Sequence, residues 1–329
     1  MAGTTLFGAD GTSPARTARA ALAAYDVGPD ALLELVSVSE NATFKVQGPD
    51  GDAYALRVQR PRNHTPDAVR SELAWIAAVR ADGAARTPAV VPTRDGAPLV
   101  EVHGTTCVLF EWVEGEHPHQ DRLEPARFGQ LGGLAARLHR HARRWRRPAG
   151  FTRAAWDAAG CLGSAPRWGR WEDGVGVGPQ EREVLGRAAE LLRRRLAAFG
   201  TGPDRFGLVH ADMRAANLLL PADAGEVVLI DFDDCGPGWF LYDLGAALSF
   251  VEDSPQVPEL VAAWVDGYRG EAPLGAAEEA ELASFVLLRR LVLVAWLGSH
   301  RDADLARTLG AGFTAGACEL AERYLSSSP

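Results

Sequence analysis

Residues 206–231 carry the most restrictive pattern in this chain. Phe206-Gly-Leu-Val209 is a short apolar approach to His210-Ala-Asp212-Met-Arg-Ala-Ala-Asn217, and Leu218-Leu-Leu220 is a second apolar run. Pro221 to Gly225 reads as a turn, and Val227-Val-Leu-Ile230, rich in β-branched residues, reads as a strand that delivers Asp231 at its end. The spacing therefore predicts a loop carrying Asp212 and Asn217, then a hairpin that stops at Asp231. An Asp on such a loop can receive the proton of an attacking hydroxyl. An Asn and a second Asp can hold Mg²⁺ on a nucleotide. Either half of the pattern is common by itself; the two at hairpin distance point to phosphoryl transfer. The alternative is a surface loop followed by an ordinary hairpin.

The rest of the chain divides unevenly. Ser13-Pro14 starts a helix over 14–26, after a Gly/Thr/Ser-rich segment, 1–13, expected to be flexible. Strand-like runs follow at Leu32–Val38, Ala42–Gln47 and Ala53–Gln59, the last two joined by the turn Gly48-Pro-Asp-Gly51. A helix is expected over Pro66–Ala81, strands near Val90–Pro92 and Pro98–Val102, and an apolar strand over Val108–Val113. Beyond it, helices are expected at Arg127–Arg143, Glu181–Phe199, Glu259–Tyr268 and Ala276–Leu297, with an irregular, Trp-, Gly- and Arg-rich stretch at Arg147–Gly178. This is an α+β chain in two lobes: a β-rich N-terminal lobe, 1–112, expected to bind nucleotide, and a larger, mainly helical C-terminal lobe, 113–329, expected to hold the catalytic loop and the acceptor.

Composition narrows the function classes. The 329 residues are 47% hydrophobic and 23% charged, with a net charge of −9, which argues against general nucleic-acid binding. No stretch approaches twenty uncharged apolar residues, so no membrane partner is expected. Cys107, Cys161, Cys235 and Cys318 match neither a zinc spacing nor a disulfide frame. A cytoplasmic protein, monomer or homodimer, is the expectation. Lys45 is the only lysine; every other fixed cation is Arg.

Ser39-Glu-Asn-Ala-Thr-Phe-Lys-Val46, Tyr54-Ala-Leu-Arg-Val58, Arg70-Ser-Glu-Leu-Ala-Trp75, His210–Leu219, Ile230-Asp-Phe-Asp-Asp-Cys-Gly236, Leu241-Tyr-Asp-Leu244 and the Arg289–Trp296 helix together resemble the aminoglycoside-phosphotransferase and choline-kinase-like branch of the protein-kinase-like fold. The resemblance runs from about residue 30 to about residue 300 and is nearest to the homoserine kinase type II and stress-response Ser/Thr kinase group. It implies a bilobal kinase fold and an ATP-dependent reaction with Mg²⁺, GTP not being excluded. The acceptor implied is a hydroxyl of a small, amine-bearing metabolite or antibiotic. A Ser/Thr protein kinase and a nucleotide-binding pseudokinase are the alternatives.

The resemblance assigns roles residue by residue. Asp212 is the catalytic base, Asn217 and Asp231 are the metal ligands, and His210 braces the loop. Asp243 is either a buried anchor for the catalytic-loop backbone or an N-cap for the helix at Leu244. Ala55 and Arg57, two apart on one strand, face the same side; Ala55 would pack on the base and Arg57 would pair with phosphates and Glu72. An Arg here departs from the kinase lysine, and Lys45 on the neighbouring strand is the rival cation. The Ser39-Glu-Asn41 turn would cover the phosphates, Asn41 included. Phe110–Val113, through the Glu111 and Val113 backbone, would bind the base edge. Leu219 and Ile230 would floor the base site, or be plain core. Asp233 and Asp234 would meet a cationic acceptor, carry a further metal contact or lie in a solvated loop. Trp168, Trp171 and Glu172 sit where acceptor contacts fall in this fold. Arg289 and Arg290, on an apolar helix, need internal partners or a substrate carboxylate.

Overall fold

The structure is a computed structural model; it describes residues 12–28, 30–38, 40–61, 64–118, 124–221, 226–301 and 303–327. In chain order the first elements are α1 (Pro14–Ala21), β1 (Leu32–Val38), β2 (Asn41–Gln47), β3 (Ala53–Gln59), α2 (Pro66–Ala81), β4 (Val90–Val91), β5 (Val100–Val102) and β6 (Thr105–Glu111). Then come α3 (Pro125–Arg144), α4 (Ala158–Leu162), α5 (Pro179–Phe199), β7 (Phe206–Val209), β8 (Leu218–Leu219), β9 (Val228–Leu229) and β10 (Gly236–Trp239). The chain closes with α6 (Tyr242–Ala247), α7 (Val257–Glu271), α8 (Ala276–Glu279), α9 (Leu282–Ser299) and α10 (Asp304–Ser327). The expected mixed α+β class is what is found, an antiparallel sheet first and helices after it.

Two compact units are present. The first comprises Met1–Glu116, Arg146–Thr152 and Leu219–Asp233; the second comprises His117–Trp145, Arg153–Leu218 and Asp234–Pro329. The chain thus passes between units several times, where the sequence suggested a single crossing near residue 112.

The first unit is built on a six-stranded sheet in the order β1-β2-β3-β6-β4, with β5 also on β6 and the pairings antiparallel. Strand alternation sorts the residues. Phe44, Val46, Leu56, Val58, Cys107 and Leu109 go to one face and are buried with Ala18, Ala21, Leu22 and Tyr25. Ser13 caps α1, its hydroxyl accepting from the Arg16 N–H, and Pro14 at the first helical position is preset for the turn. Thr65 and Pro66 start α2 in the same way.

The second unit is helical around one small ribbon, β7 paired antiparallel with β10. Helices α3 and α7 cross closely through glycines: a Cβ at Gly132 would run into the Trp264 carbonyl, and one at Gly267 into the Gly129 carbonyl. Helix α9 is 18 residues long and apolar enough to cross a membrane, yet 78% of it is buried inside the fold, where it serves as the core helix. The expected single helix over 276–297 is two, with a break at Ala280-Glu281; Gly310, at φ +50°, kinks α10. The stretch Arg147–Gly178 is irregular apart from α4 and a 3₁₀ turn at Trp171–Asp173.

Candidate active site

On the first unit, register gathers the expected nucleotide residues. Thr43 pairs with Arg57 and Lys45 with Ala55 across β2–β3, while Ala55 pairs with Phe110 and Arg57 with Val108 across β3–β6. Directly opposed residues share a face. Thr43, Lys45, Ala55, Arg57, Val108 and Phe110 therefore line the face opposite the core. Arg57 is held by Glu72 of α2 in a two-pronged contact, Nη1 to Oε1 at 2.7 Å and Nη2 to Oε2 at 3.0 Å, with side-chain exposures of 8% and 0%. Burial opposes the charge on Arg57, but Glu72, Asp233 and Asp231 outweigh it and push its pKa above the ordinary arginine value. Its buried Nε has no partner among the described residues.

Lys45, the rival cation, is engaged elsewhere. Its Nζ lies 3.2 Å from Glu114 and 4.4 Å over the Trp112 ring. Strand β6 begins three residues earlier than expected and ends two earlier, at Glu111, so Glu111 pairs with Tyr54 and Trp112 N–H donates to the Ala53 carbonyl. Among the described residues the Val113 backbone makes no hydrogen bond. Leu219 and Ile230 are half-buried on this unit.

Asn41 is not in a turn. It is the first residue of β2, and its side-chain N–H donates to Asp233 Oδ2 at 2.7 Å, while Ser39 lies outside the described residues. Asp231 follows β9 with an exposed side chain and φ +65°, a left-handed conformation uncommon for Asp that costs about 1–3 kcal/mol and is found where a side chain must be aimed. Asp233 and Asp234 are each 5% exposed, so the solvated-loop reading fails for both.

On the second unit, the catalytic loop is fixed by buried charge. Asp243 is fully buried near the start of α6, and its carboxylate accepts from the backbone N–H of His210 (3.2 Å) and of Ala211 (2.7 Å). The anchoring role holds, and the capping alternative does not. Ala211 sits at φ +69°; Asp243 on its N–H and Arg289 on its carbonyl (3.0 Å) hold that strained residue in place. His210 is fully buried and braces the loop, its Nδ1 accepting from Asp212 N–H at 3.3 Å.

Asp212 is 9% exposed and engaged on both oxygens. Arg289 Nη2 donates to Oδ1 at 2.5 Å; Arg214 Nε (3.1 Å) and Asn217 Nδ2 (2.7 Å) donate to Oδ2. Burial alone would raise its pKa, but the guanidiniums of Arg214 and Arg289, with His210, bring it down to about 2. The Asn217 amide nitrogen also donates to the Asp212 carbonyl at 2.8 Å, so both its hydrogens are spent on Asp212 and its amide oxygen has no partner among the described residues.

Sequence reasoning missed His139. It lies on the buried stripe of α3 with Leu131, Ala135 and Leu138, where a histidine reads as core. Its Nε2 donates to Asp243 at 2.9 Å and its Nδ1 accepts from the Tyr268 hydroxyl at 3.1 Å; burial keeps it neutral. Arg167 was missed too: its Nη2 lies 3.3 Å from Asp234 and its Cζ 4.1 Å over the Trp156 ring. Of the acceptor candidates, Trp171 is buried at 6% exposure, Glu172 pairs with Arg170 at 3.3 Å, and Trp168 is half-exposed. Arg290 pairs internally with Glu252 at 2.7 Å.

On the second unit, an aspartate held ionised beside an amide oxygen is suited to orienting a hydroxyl and to meeting a hard divalent cation. The family described as "Phosphotransferase enzyme family" matches residues 32–282. The solved structure of a microcompartment-associated aminopropanol kinase is 48% identical with a TM-score of 0.88, covering 94% of this chain and 97% of that one. The amicoumacin kinase of Bacillus subtilis is 25% identical over 277 residues, 79% of this chain and 77% of the relative. An amicoumacin kinase solved with AMP-PNP, Ca²⁺ and its ligand shares the fold at a TM-score of 0.75 and 21% identity, over 94% of this chain and 92% of that one. The chain belongs to the phosphotransferase enzyme family and is an ATP-dependent kinase of small molecules.

Proposed function

We propose that this kinase transfers the γ-phosphate of ATP, with Mg²⁺, to the hydroxyl of a small amino alcohol. The observation that carries the reaction is the state of Asp212: a nearly buried carboxylate, ionised down to a pH of about 2, with one hydrogen-bonding position still open. The acceptor class is supported by the 48% identity to an aminopropanol kinase.

Asp212 at that pKa is a weak base, so its work is chiefly positional. The acceptor O–H donates to the carboxylate, which turns the oxygen lone pair toward phosphorus. The O–P bond forms as the bond from γ-phosphorus to the β,γ-bridging oxygen breaks. ADP leaves with that electron pair, and the acceptor proton passes to Asp212 late in the step. Arg289 and Arg214 keep the carboxylate charged and fixed throughout. Asn217, through its amide oxygen, and Asp231 are the residues that would hold Mg²⁺; hard oxygen donors suit it. The ion would neutralise charge developing on the phosphates.

Arg57, oriented by Glu72, is the phosphate cation of this reading. Ala55, the Glu111 and Val113 backbone, Leu219 and Ile230 form the base site, and Asn41 acts there through Asp233 rather than through a turn. A cytoplasmic location suits four free thiols, of which Cys107, Cys161 and Cys235 are buried.

The test is ADP release from ATP with Mg²⁺ across amino alcohols, hydroxy amino acids, aminoglycosides and a protein substrate. Stimulation by a small amino alcohol is expected. Stimulation only by the protein substrate would replace this reading with a protein kinase.

A further inference from the structure

The hydrogen bonds to Asp212 locate the acceptor more closely than the reaction requires. A carboxylate oxygen has two lone-pair positions. Oδ2 has both filled, by Arg214 Nε at 3.1 Å and Asn217 Nδ2 at 2.7 Å. Oδ1 has one filled, by Arg289 Nη2 at 2.5 Å. Among the described residues one position is left, on Oδ1, beside the Arg289 guanidinium.

That guanidinium cannot swing away. Arg289 is 1% exposed, and its other donors go to Ser249 Oγ (2.9 Å), the Ala211 carbonyl (3.0 Å) and the Tyr242 hydroxyl (3.4 Å). Its Cζ lies 5.1 Å over the ring of Trp168. Trp168 in turn packs edge-on against Trp156, with centroids 5.1 Å apart, and its carbonyl accepts from Ser299 Oγ of α9 at 2.8 Å. The loop bearing it is thus pinned, yet the indole is only half-buried, unlike Trp156, against which it packs, and Trp171. A carboxylate oxygen with a position to spare and a half-buried aromatic ring thus both adjoin one rigid guanidinium.

The geometry points to Arg289 and Trp168 as the acceptor wall: Arg289 takes one position on Asp212 Oδ1 so that the acceptor hydroxyl takes the other, and the Trp168 ring receives the amine-bearing end of the same molecule. The class of ligand is a hydroxyl compound short enough to reach across one guanidinium, with an ammonium that gains from an indole face. Arg289 is a positioning residue; Trp168 touches the acceptor. The inference deepens the amino-alcohol reading and rests on it for the identity of the cationic end.

Steady-state kinetics of Trp168→Leu, Trp168→Phe, Arg289→Lys and Arg289→Met test it, with an amino alcohol and the same alcohol lacking its amine. Trp168→Leu should raise KM for the amino alcohol about tenfold, with KM for ATP within twofold, and should penalise the amine-free alcohol less. Trp168→Phe, which keeps an aromatic face, should recover much of the loss. Arg289→Met should lower kcat by about a hundredfold, because the base loses its alignment; Arg289→Lys should recover part of it. A change in KM for ATP instead of the acceptor, or an unchanged kcat in both Arg289 variants, overturns the inference. Because Trp168 is half-exposed, its variants stay informative even if Arg289→Met does not fold. If wild-type enzyme uses no amino alcohol, the acceptor class fails. The role of Arg289 is then judged on ADP release to water, which Arg289→Met must still depress.

Discussion

Removing Glu72 alone should unfold the first unit far more readily than removing Glu72 and Arg57 together. The pair is closed to solvent, with 0% and 8% of the side chains exposed, and is joined at 2.7 and 3.0 Å. Glu72→Ala would leave a buried guanidinium with no counter-charge on either Nη, while its Nε already lacks a partner. Breaking a buried pair in this way costs about 3–5 kcal/mol, whereas replacing both partners with apolar groups of similar volume is often neutral. At roughly 2–4 °C per kcal/mol, the single variant should melt about 6–20 °C lower. Glu72→Leu with Arg57→Met should melt close to wild type. Function should divide the other way, since the double variant lacks the expected phosphate cation and should lose nucleotide binding although folded. Thermal melts with nucleotide titration read both quantities. A Glu72→Ala variant less than about 1 kcal/mol destabilised would mean that the pair behaves as a solvated one. A folded double variant with wild-type nucleotide affinity would refute the role of Arg57.

Arg57→Ala should impair nucleotide use more than Lys45→Ala, because Lys45 is engaged by Glu114 and Trp112; KM for ATP in each variant decides, and the reverse order would move the phosphate cation to Lys45. Asp231→Ala should weaken Mg²⁺-dependent nucleotide binding, measured by titration with and without the ion. The Asp212 pKa is depressed to about 2 in the folded chain, so its stabilising contribution is present above the ordinary carboxylate range and is lost as pH falls toward 2. Asp212→Asn should therefore flatten the acid limb of stability, by about 2 kcal/mol, in melts between pH 5 and 2. Gly267→Ala should destabilise by about 1–3 kcal/mol, because its Cβ would meet the Gly129 carbonyl where α7 crosses α3; chemical denaturation measures it.

The sequence was most readable where structure is local. β1 and β3 were expected at their observed limits and β2 within one residue, since alternation and the Gly48–Gly51 turn set their register. β6 was placed three residues late because Thr105-Thr106-Cys107 carries less apolar signal than the Val108-Leu-Phe110 that follows. The break before α9 was hidden because Glu278, Glu279 and Glu281 are good helix formers. In the site, Asp212 and Asn217 are five residues apart and stood out by spacing. His139 meets Asp243 across 104 residues, Trp156 meets Asp234 across 78, and Arg167 meets Asp234 across 67. No local period reports a contact at that separation. The same holds for Arg289, whose charge on an apolar helix announced a partner without naming Asp212.

The central claim is that Asp212 directs a small hydroxyl to the γ-phosphate of ATP. The most direct measurement is ³¹P NMR of ATP, Mg²⁺ and a small amino alcohol with wild type and with Asp212→Ala. The account predicts a phosphate monoester and ADP from wild type, and neither from the variant, which should still bind nucleotide within a few-fold of wild type. Equal monoester formation by the two proteins, or nucleotide binding by wild type with no monoester on any hydroxyl compound, would contradict it.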